Sequence, residues 1–222
     1  MGIQVKNKAG TGEIYIFDEI GSGFFGGVGL KDVAAALKEL RGVKEITMRI
    51  NSPGGDMFEG IAIYNMLKKE PTKITSSIEG LAASAASIIA LGAETVTMAD
   101  SAFFMIHNAH TVAAGDTQYL AEVAEQLAGF DEQLGRIYQG KIGGEIEPIR
   151  ELMNAETWYT AAEAKEAGFI DDITEQLPVA AHCDPAKFRN APTGLNVANN
   201  TASKKGLAIA KKARARLLRL NN

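Results

Sequence analysis

The stretch from Lys73 to Leu91 constrains the fold more than any other. A strand-like run, Lys73-Ile74-Thr75-Ser76-Ser77-Ile78, passes into Gly80-Leu81-Ala82-Ala83-Ser84-Ala85-Ala86-Ser87 and then into apolar Ile88-Ile89-Ala90-Leu91. The change of pattern puts Ser84 near a strand-to-helix junction. A serine there is well placed for nucleophilic attack. Small neighbours admit a substrate backbone, and free amides in the first helical turn face a developing negative charge. The same residues also suit a helix that needs Ala and Ser for close packing, so the stretch alone does not settle its chemistry.

The surrounding chain alternates strand and helix. Ile3–Lys6 and Glu13–Phe17 read as a strand pair turned through Gly10-Thr11-Gly12. A helix over Leu30–Leu40 leads to a strand at Glu45–Ile50, a turn at Asn51-Ser52-Pro53-Gly54-Gly55 and a helix over about Met57–Lys69. Short strands follow near Glu94–Met98 and Ala102–His107, and a long helical pattern runs from Asp116 to about Gly140. Thr160-Ala161-Ala162-Glu163 is a capping box for a short helix ending at Gly168, and Phe169–Ile173 closes the folded part. Crossovers long enough for parallel pairing predict an α/β fold, a mostly parallel sheet flanked by helices. Gly21-Ser22-Gly23-Phe24-Phe25-Gly26 matches a dinucleotide fingerprint literally. However, Gly27 and Gly29 separate it from the helix, and the next strand ends in Asn51-Ser52 without the acidic residue that would hold a ribose. A flexible loop is expected there.

Charge is unevenly spread along the 222 residues. No acidic residue follows Asp184, whereas nine basic ones do, so residues 1–184 hold all 27 acidic and 14 of the 23 basic side chains. The expected organisation is a catalytic domain over 1–184, a flexible linker over 185–203 and a basic, helix-prone tail over 204–222. The tail reads either as a dock for an acidic surface or as a solvated end. Deleting residues 189–222 is expected to leave the catalysis of the body intact on small substrates and to weaken its action on an assembly partner. Cys183 is the single cysteine, which excludes an intrachain disulfide and a cysteine metal cluster. No apolar run reaches membrane-spanning length and no signal-peptide core is visible, so a cytoplasmic protein without a membrane or nucleic-acid partner is expected. No metal or cofactor is called for.

A serine hydroxyl needs a base, and the intermediate needs donors for its oxyanion. Of three histidines, His107 ends the apolar run Phe103-Phe104-Met105-Ile106, His110 lies in a polar loop and His182 lies towards the tail. Spacing does not choose among them. Gly55, in a Pro-Gly-Gly turn, offers an amide that no side chain screens.

Taken together, Gly80-x-Ala82-Ala83-Ser84, Met105-Ile106-His107 and Asn51-Ser52-Pro53-Gly54-Gly55 closely resemble the proteolytic subunit of the Clp protease, in that family's order over about residues 13–175. The resemblance implies a serine endopeptidase on the Clp/crotonase-type fold. Ser84 would be the nucleophile, His107 the base, the amides of Gly55 and Ala85 the oxyanion hole, and Gly54 and Gly55 the substrate-binding turn. The long helix after Asp116 would be a protruding handle joining two homo-oligomeric rings, with an ATPase unfoldase as a possible partner. The family's acid matches Glu156, where Asp is usual, with Asp171 and Asp172 as competing positions. Met-Gly-Ala after the serine is replaced by Ala85-Ala86-Ser87. Trp158–Ala164, Phe24–Val28 and the basic tail look more like the Clp-type head maturation proteases of tailed phages and prophages. That likeness implies a capsid or scaffold protein as substrate, met in the host cytoplasm or the assembling prohead. A general Clp-like peptidase fed by an unfoldase, a crotonase-like acyl-CoA enzyme and a non-catalytic shell or scaffold subunit are the alternative readings.

Overall fold

The computed structural model describes residues 3–8, 10–21, 27–175, 184–192 and 195. Eight strands form one sheet. The path runs β1 (Gln4–Lys8), β2 (Thr11–Ile16), β3 (Glu45–Ser52), β4 (Lys73–Ala83), β5 (Thr95–Ala99) and β8 (Asp172–Thr174), while β6 (Phe103–Ile106) and β7 (Thr157–Thr160) branch from β4. Only β1–β2 and β6–β7 are antiparallel. Helices α1 (Leu30–Glu39), α2 (Met57–Lys68), α3 (Ala85–Ala90), α4 (Thr117–Ile142), α5 (Ile146–Asn154) and α6 (Ala161–Ala167) supply the crossovers and flanks. The α/β architecture predicted from the alternation is the one observed.

Strand β4 positions the site. Its first half is alternately half-buried and buried, as expected for a strand with helices on one face only. From Ile78 to Ala83 every side chain is buried. The split follows from its partners: Thr75–Ile78 pair with Thr95–Met98 of β5, whereas Leu81–Ala83 pair with Phe103–Met105 of β6. The strand therefore extends five residues past the expected Ile78, because Gly80, Ala82 and Ala83 are small enough to continue between two layers. Across β3 the register slips between Ile50 and Ser52, which turns the following Ser52–Asp56 segment over the end of β4.

One large apolar core fills the space between sheet and helices, with Ile14, Met48, Ile78 and Phe104 wholly inaccessible. The Thr160–Glu163 box forms as expected, with Thr160 N–H donating to the Glu163 carboxylate at 2.8 Å, and Gly168 ends α6 at φ 86°. Helix α4 is capped by Asp116, whose carboxylate accepts from Tyr119 N–H. Of its 26 residues only Leu134, Gly135 and Tyr138 are buried, so its N-terminal part protrudes from the body. Two elements were not anticipated, α5 and the antiparallel strand β7.

The expected linker over 185–203 needs correction where it is described. Residues 184–192 and Leu195 pack on the body, and Phe188, Ala191 and Leu195 join Leu81, Ala83, Phe103, Met105 and Trp158 in a second apolar cluster. A polar, Asn- and Thr-rich composition hides these few apolar anchors. The rest of that segment, the basic tail over 204–222, His182, Cys183 and the fingerprint-like residues 22–26 lie outside the described residues.

Candidate active site

Ser84 stands between β4 and α3 with φ 54° and ψ −126°, a backbone geometry rare for any residue with a Cβ. The turn is held from several sides. Ser84 N–H donates to Met105 O at 3.1 Å, and Ser84 O accepts from Ser87 N–H at 2.9 Å and from Ser87 Oγ at 2.6 Å. Ser87 Oγ also lies 2.8 Å from the hydroxyl of Tyr138, a wholly buried residue of α4 whose phenol is pushed well above its usual pKa by burial. The reverse turn aims the Ser84 side chain out of the core into a groove of about 440 Å³ between α2, α4 and the segment after β6. Ile88, Leu134 and Tyr138 line its body side, and Met57, Phe58 and Val123 contribute apolar wall.

His107 follows β6 directly, and β6 is hydrogen-bonded to the C-terminal half of β4, so two adjacent strands deliver serine and imidazole to one point. His107 Nε2 lies 2.8 Å from Ser84 Oγ. The imidazole is buried, which pushes its pKa from 6.5 down to about 4. Nearby His110 adds to the fall, Glu156 opposes it, and Arg189 adds again. A neutral imidazole beside a hydroxyl is the protonation state that accepts a proton from it.

The Pro53-Gly54-Gly55 turn lies against the serine turn. A Cβ on Gly54, at φ 87°, would stand 2.5 Å from Ala83 O and 2.9 Å from Ala85 N, so only glycine allows this approach. Ile20 N–H donates to Gly54 O and Ile20 O accepts from Asp56 N–H, each at 2.8 Å. This bridge uses the groups on either side of Gly55, and Gly55 itself lines the groove. Ala85 N–H, at the first position of α3, is likewise one of the donors that a helix start leaves without an intrahelical acceptor.

The acid candidates separate clearly. Asp171 accepts from Val96 N–H and from Lys141 Nζ, and Asp172 pairs with Lys165, so both are engaged at the β5–β8 side of the sheet. Glu156 is buried, sits at φ 47° immediately before β7, and is close enough for its charge to act on His107. Its carboxylate, however, is held elsewhere. Oε1 accepts from Asn190 N–H at 2.6 Å and from Trp158 Nε1 at 3.4 Å, and Oε2 accepts from Arg189 N–H at 3.1 Å. Among the described residues no acceptor lies on His107 Nδ1.

Three contributors were not singled out for the site from sequence: Tyr138, Trp158 and the 188–190 segment. Tyr138 fell on the apolar stripe of the long helix, where only its hydroxyl hinted at a polar partner. Among the described residues no group of three or more His, Cys, Asp or Glu side chains is placed to hold a metal ion, and no helix is long and apolar enough to cross a membrane.

A neutral histidine bonded to a serine at a reversed strand-to-helix turn, with Gly55 and Ala85 lining the same groove, is the equipment of a serine-nucleophile hydrolase. The Clp protease family model matches residues 31–177. The chain is 35% identical over 134 residues to the ATP-dependent Clp protease proteolytic subunit of Leuconostoc citreum, covering 59% of this chain and 67% of that protein. Proteolytic subunit 1 from Mycobacterium tuberculosis is 34% identical over 138 residues, covering 61% and 69%. Among solved structures, a point mutant of ClpP1 from Listeria monocytogenes superposes with a TM-score of 0.63 at 26% identity, covering 74% of this chain and 91% of that one. The chain belongs to the Clp protease family and is a ClpP-like serine-type endopeptidase.

Proposed function

We propose that this chain cleaves protein substrates through Ser84 as nucleophile and His107 as general base, with the amides of Gly55 and Ala85 receiving the oxyanion and Gly54 and Gly55 lining the substrate backbone's path. The observation that carries the reading is the 2.8 Å approach of His107 Nε2 to Ser84 Oγ at a turn whose strain aims the hydroxyl into the groove. His107 takes the hydroxyl proton as Ser84 Oγ bonds to the scissile carbonyl carbon. The amide donors then stabilise the charge on the carbonyl oxygen, and the imidazolium returns the proton to the leaving amine. Glu156 is the triad acid in this reading.

The substrate is a phage capsid or scaffold protein trimmed during head maturation, and the chain works as a homo-oligomeric ring in which α4 packs on a neighbour. The likeness of Trp158–Ala164 and the basic tail to phage head proteases supports the substrate class, and the protruding, half-apolar first part of α4 supports the ring. The 1–184 body is the catalytic domain. The second reading is a general peptidase fed by an ATPase unfoldase, favoured by the matched Clp subunits being ATP-dependent. A serine-reactive fluorophosphonate should label wild-type protein and not Ser84→Ala. Incubation with a phage capsid or scaffold protein should yield discrete fragments without ATP. Labelling that survives Ser84→Ala removes the catalytic assignment, and cleavage that requires ATP and an unfoldase replaces the first substrate reading with the second.

A further inference from the structure

Residues 184–192, together with Leu195, form a strap across the site on its acid side, and their contacts are those of a seated ligand. A short 3-10 turn over Pro185–Lys187, capped by Asp184, brings in Phe188, whose ring lies 5.2 Å from Trp158 and 6.4 Å from His107 between centroids. Leu195 is 4% exposed in the cluster with Leu81, Met105 and Trp158. Lys187 pairs with Glu19, next to the Ile20 bridge that orients Gly55, and Asn190 Nδ2 donates to Ala155 O at 2.8 Å. Between these anchors the backbone amides of Arg189 and Asn190 take one oxygen each of the Glu156 carboxylate. The Arg189 guanidinium stands 3.7 Å from the same group. The carboxylate that a catalytic histidine needs on Nδ1 is thereby bonded to the strap, while Nδ1 has no described acceptor.

We infer that this strap of residues 184–192 with Leu195 is a latch that holds Glu156 away from His107, and that the chain reaches full activity only when the strap leaves its shelf. The inference rests on the proposed roles of Ser84, His107 and Glu156. Physically it is a competition for one carboxylate. Two charge-assisted amide bonds favour the strap-bound rotamer, and once they are removed the contact that remains outside the strap is the long 3.4 Å one from Trp158 Nε1, which leaves the carboxylate free to turn to the Nδ1–H of His107. Serine attack continues in the latched state, without an acid to fix the imidazole tautomer or to stabilise the imidazolium.

The test uses full-length protein with two independent substitutions. Asn190→Pro deletes the N–H that donates to Glu156 Oε1, and Phe188→Ala removes the aromatic anchor. Trp158 is the sole tryptophan, and it touches both Phe188 and Glu156, so its emission reports whether the strap is seated. Both variants should change Trp158 emission and raise kcat on a fluorogenic peptide by about tenfold or more, a part of the effect carried by a triad acid. Adding Glu156→Gln should erase the gain. A kcat that falls or stays level in both variants overturns the latch, a fall showing that the strap supports the acid. Peptide hydrolysis that survives Ser84→Ala in each background overturns the catalytic reading instead, whatever the strap does.

Discussion

Two non-glycine residues adopt positive φ among the described residues, and both are at the site: Ser84 at 54° and Glu156 at 47°. Each such backbone is strained by roughly 1–3 kcal/mol and persists only if its surroundings over-determine it. They are held in different ways. Ser84 is fixed by its own neighbourhood, through Met105 O, Ser87 and the Gly54 turn pressed against it. Glu156 closes α5 with its N–H on Met153 O, but its side chain is fixed by residues more than thirty positions later. Ser84 is thus held by the core around it, whereas the Glu156 side chain, the proposed acid, is held by the segment that follows the sheet in sequence.

The sharpest way to test that difference is to remove each half. Ser84→Ala or His107→Ala should lower kcat by about 10⁴-fold or more with unchanged circular dichroism, because the pair acts as a unit. Glu156→Gln should behave differently in two backgrounds. In the Phe188→Ala protein it should lower kcat by roughly 10²–10⁴-fold with little change in KM. In the latched wild type the loss should be under about tenfold, and equal losses in the two backgrounds would place the acid in the core-built half.

The pH profile follows from the buried imidazole. His107 must be neutral to act, and its pKa is lowered to about 4, so kcat/KM should stay level from pH 7 to about 5 and decline as pH approaches 4. The same shift acts on stability. Because the unfolded imidazole titrates near 6.5 and the folded one near 4, the unfolded state binds more protons in between. The histidine's contribution to stability is therefore complete above 6.5 and is lost as pH falls towards 4. Urea midpoints of wild type and His107→Gln should converge over that window. An acid limb at 6.5 would mean that His107 is solvated. The smallest effect is expected for Ser87→Ala. It removes one bond to Ser84 O and leaves the buried Tyr138 hydroxyl without that partner, for a loss of about 1–3 kcal/mol measured by denaturant midpoint.

The same division explains what the sequence made legible. Alternating patterns and capping signals are local, so α1, α2, α4 and α6 were bounded to within two residues. Ser84 stood out because a run of small residues between a strand and an apolar helix has few uses. Strand β7 was missed because its four residues end in the capping threonine of α6, so helix chemistry masks strand chemistry. Helix α5 went unread because Pro148 and short flanks break its pattern. The strap looks like linker in the sequence because Phe188, Ala191 and Leu195, the side chains that anchor it, carry no period. Their meaning depends on a shelf made by β4, β6 and Trp158. For Glu156 the matched position was legible, but a carboxylate's choice between two donors is a tertiary property.

One further consequence lies in the β6–β7 ladder, where Ile106 pairs with Thr157 at its last rung. His107 and Glu156 are the residues just beyond that rung, so everything between them, α4 and α5 included, is topologically one enlarged hairpin loop. Doubling the length of such a loop costs only about 0.6 kcal/mol of closure entropy. The excursion can therefore lengthen, shorten or acquire new surfaces while its two ends stay clamped together. The backbones of His107 and Glu156 keep their spacing through such changes, which leaves the intervening helices free to diversify behind a fixed pair of gateposts.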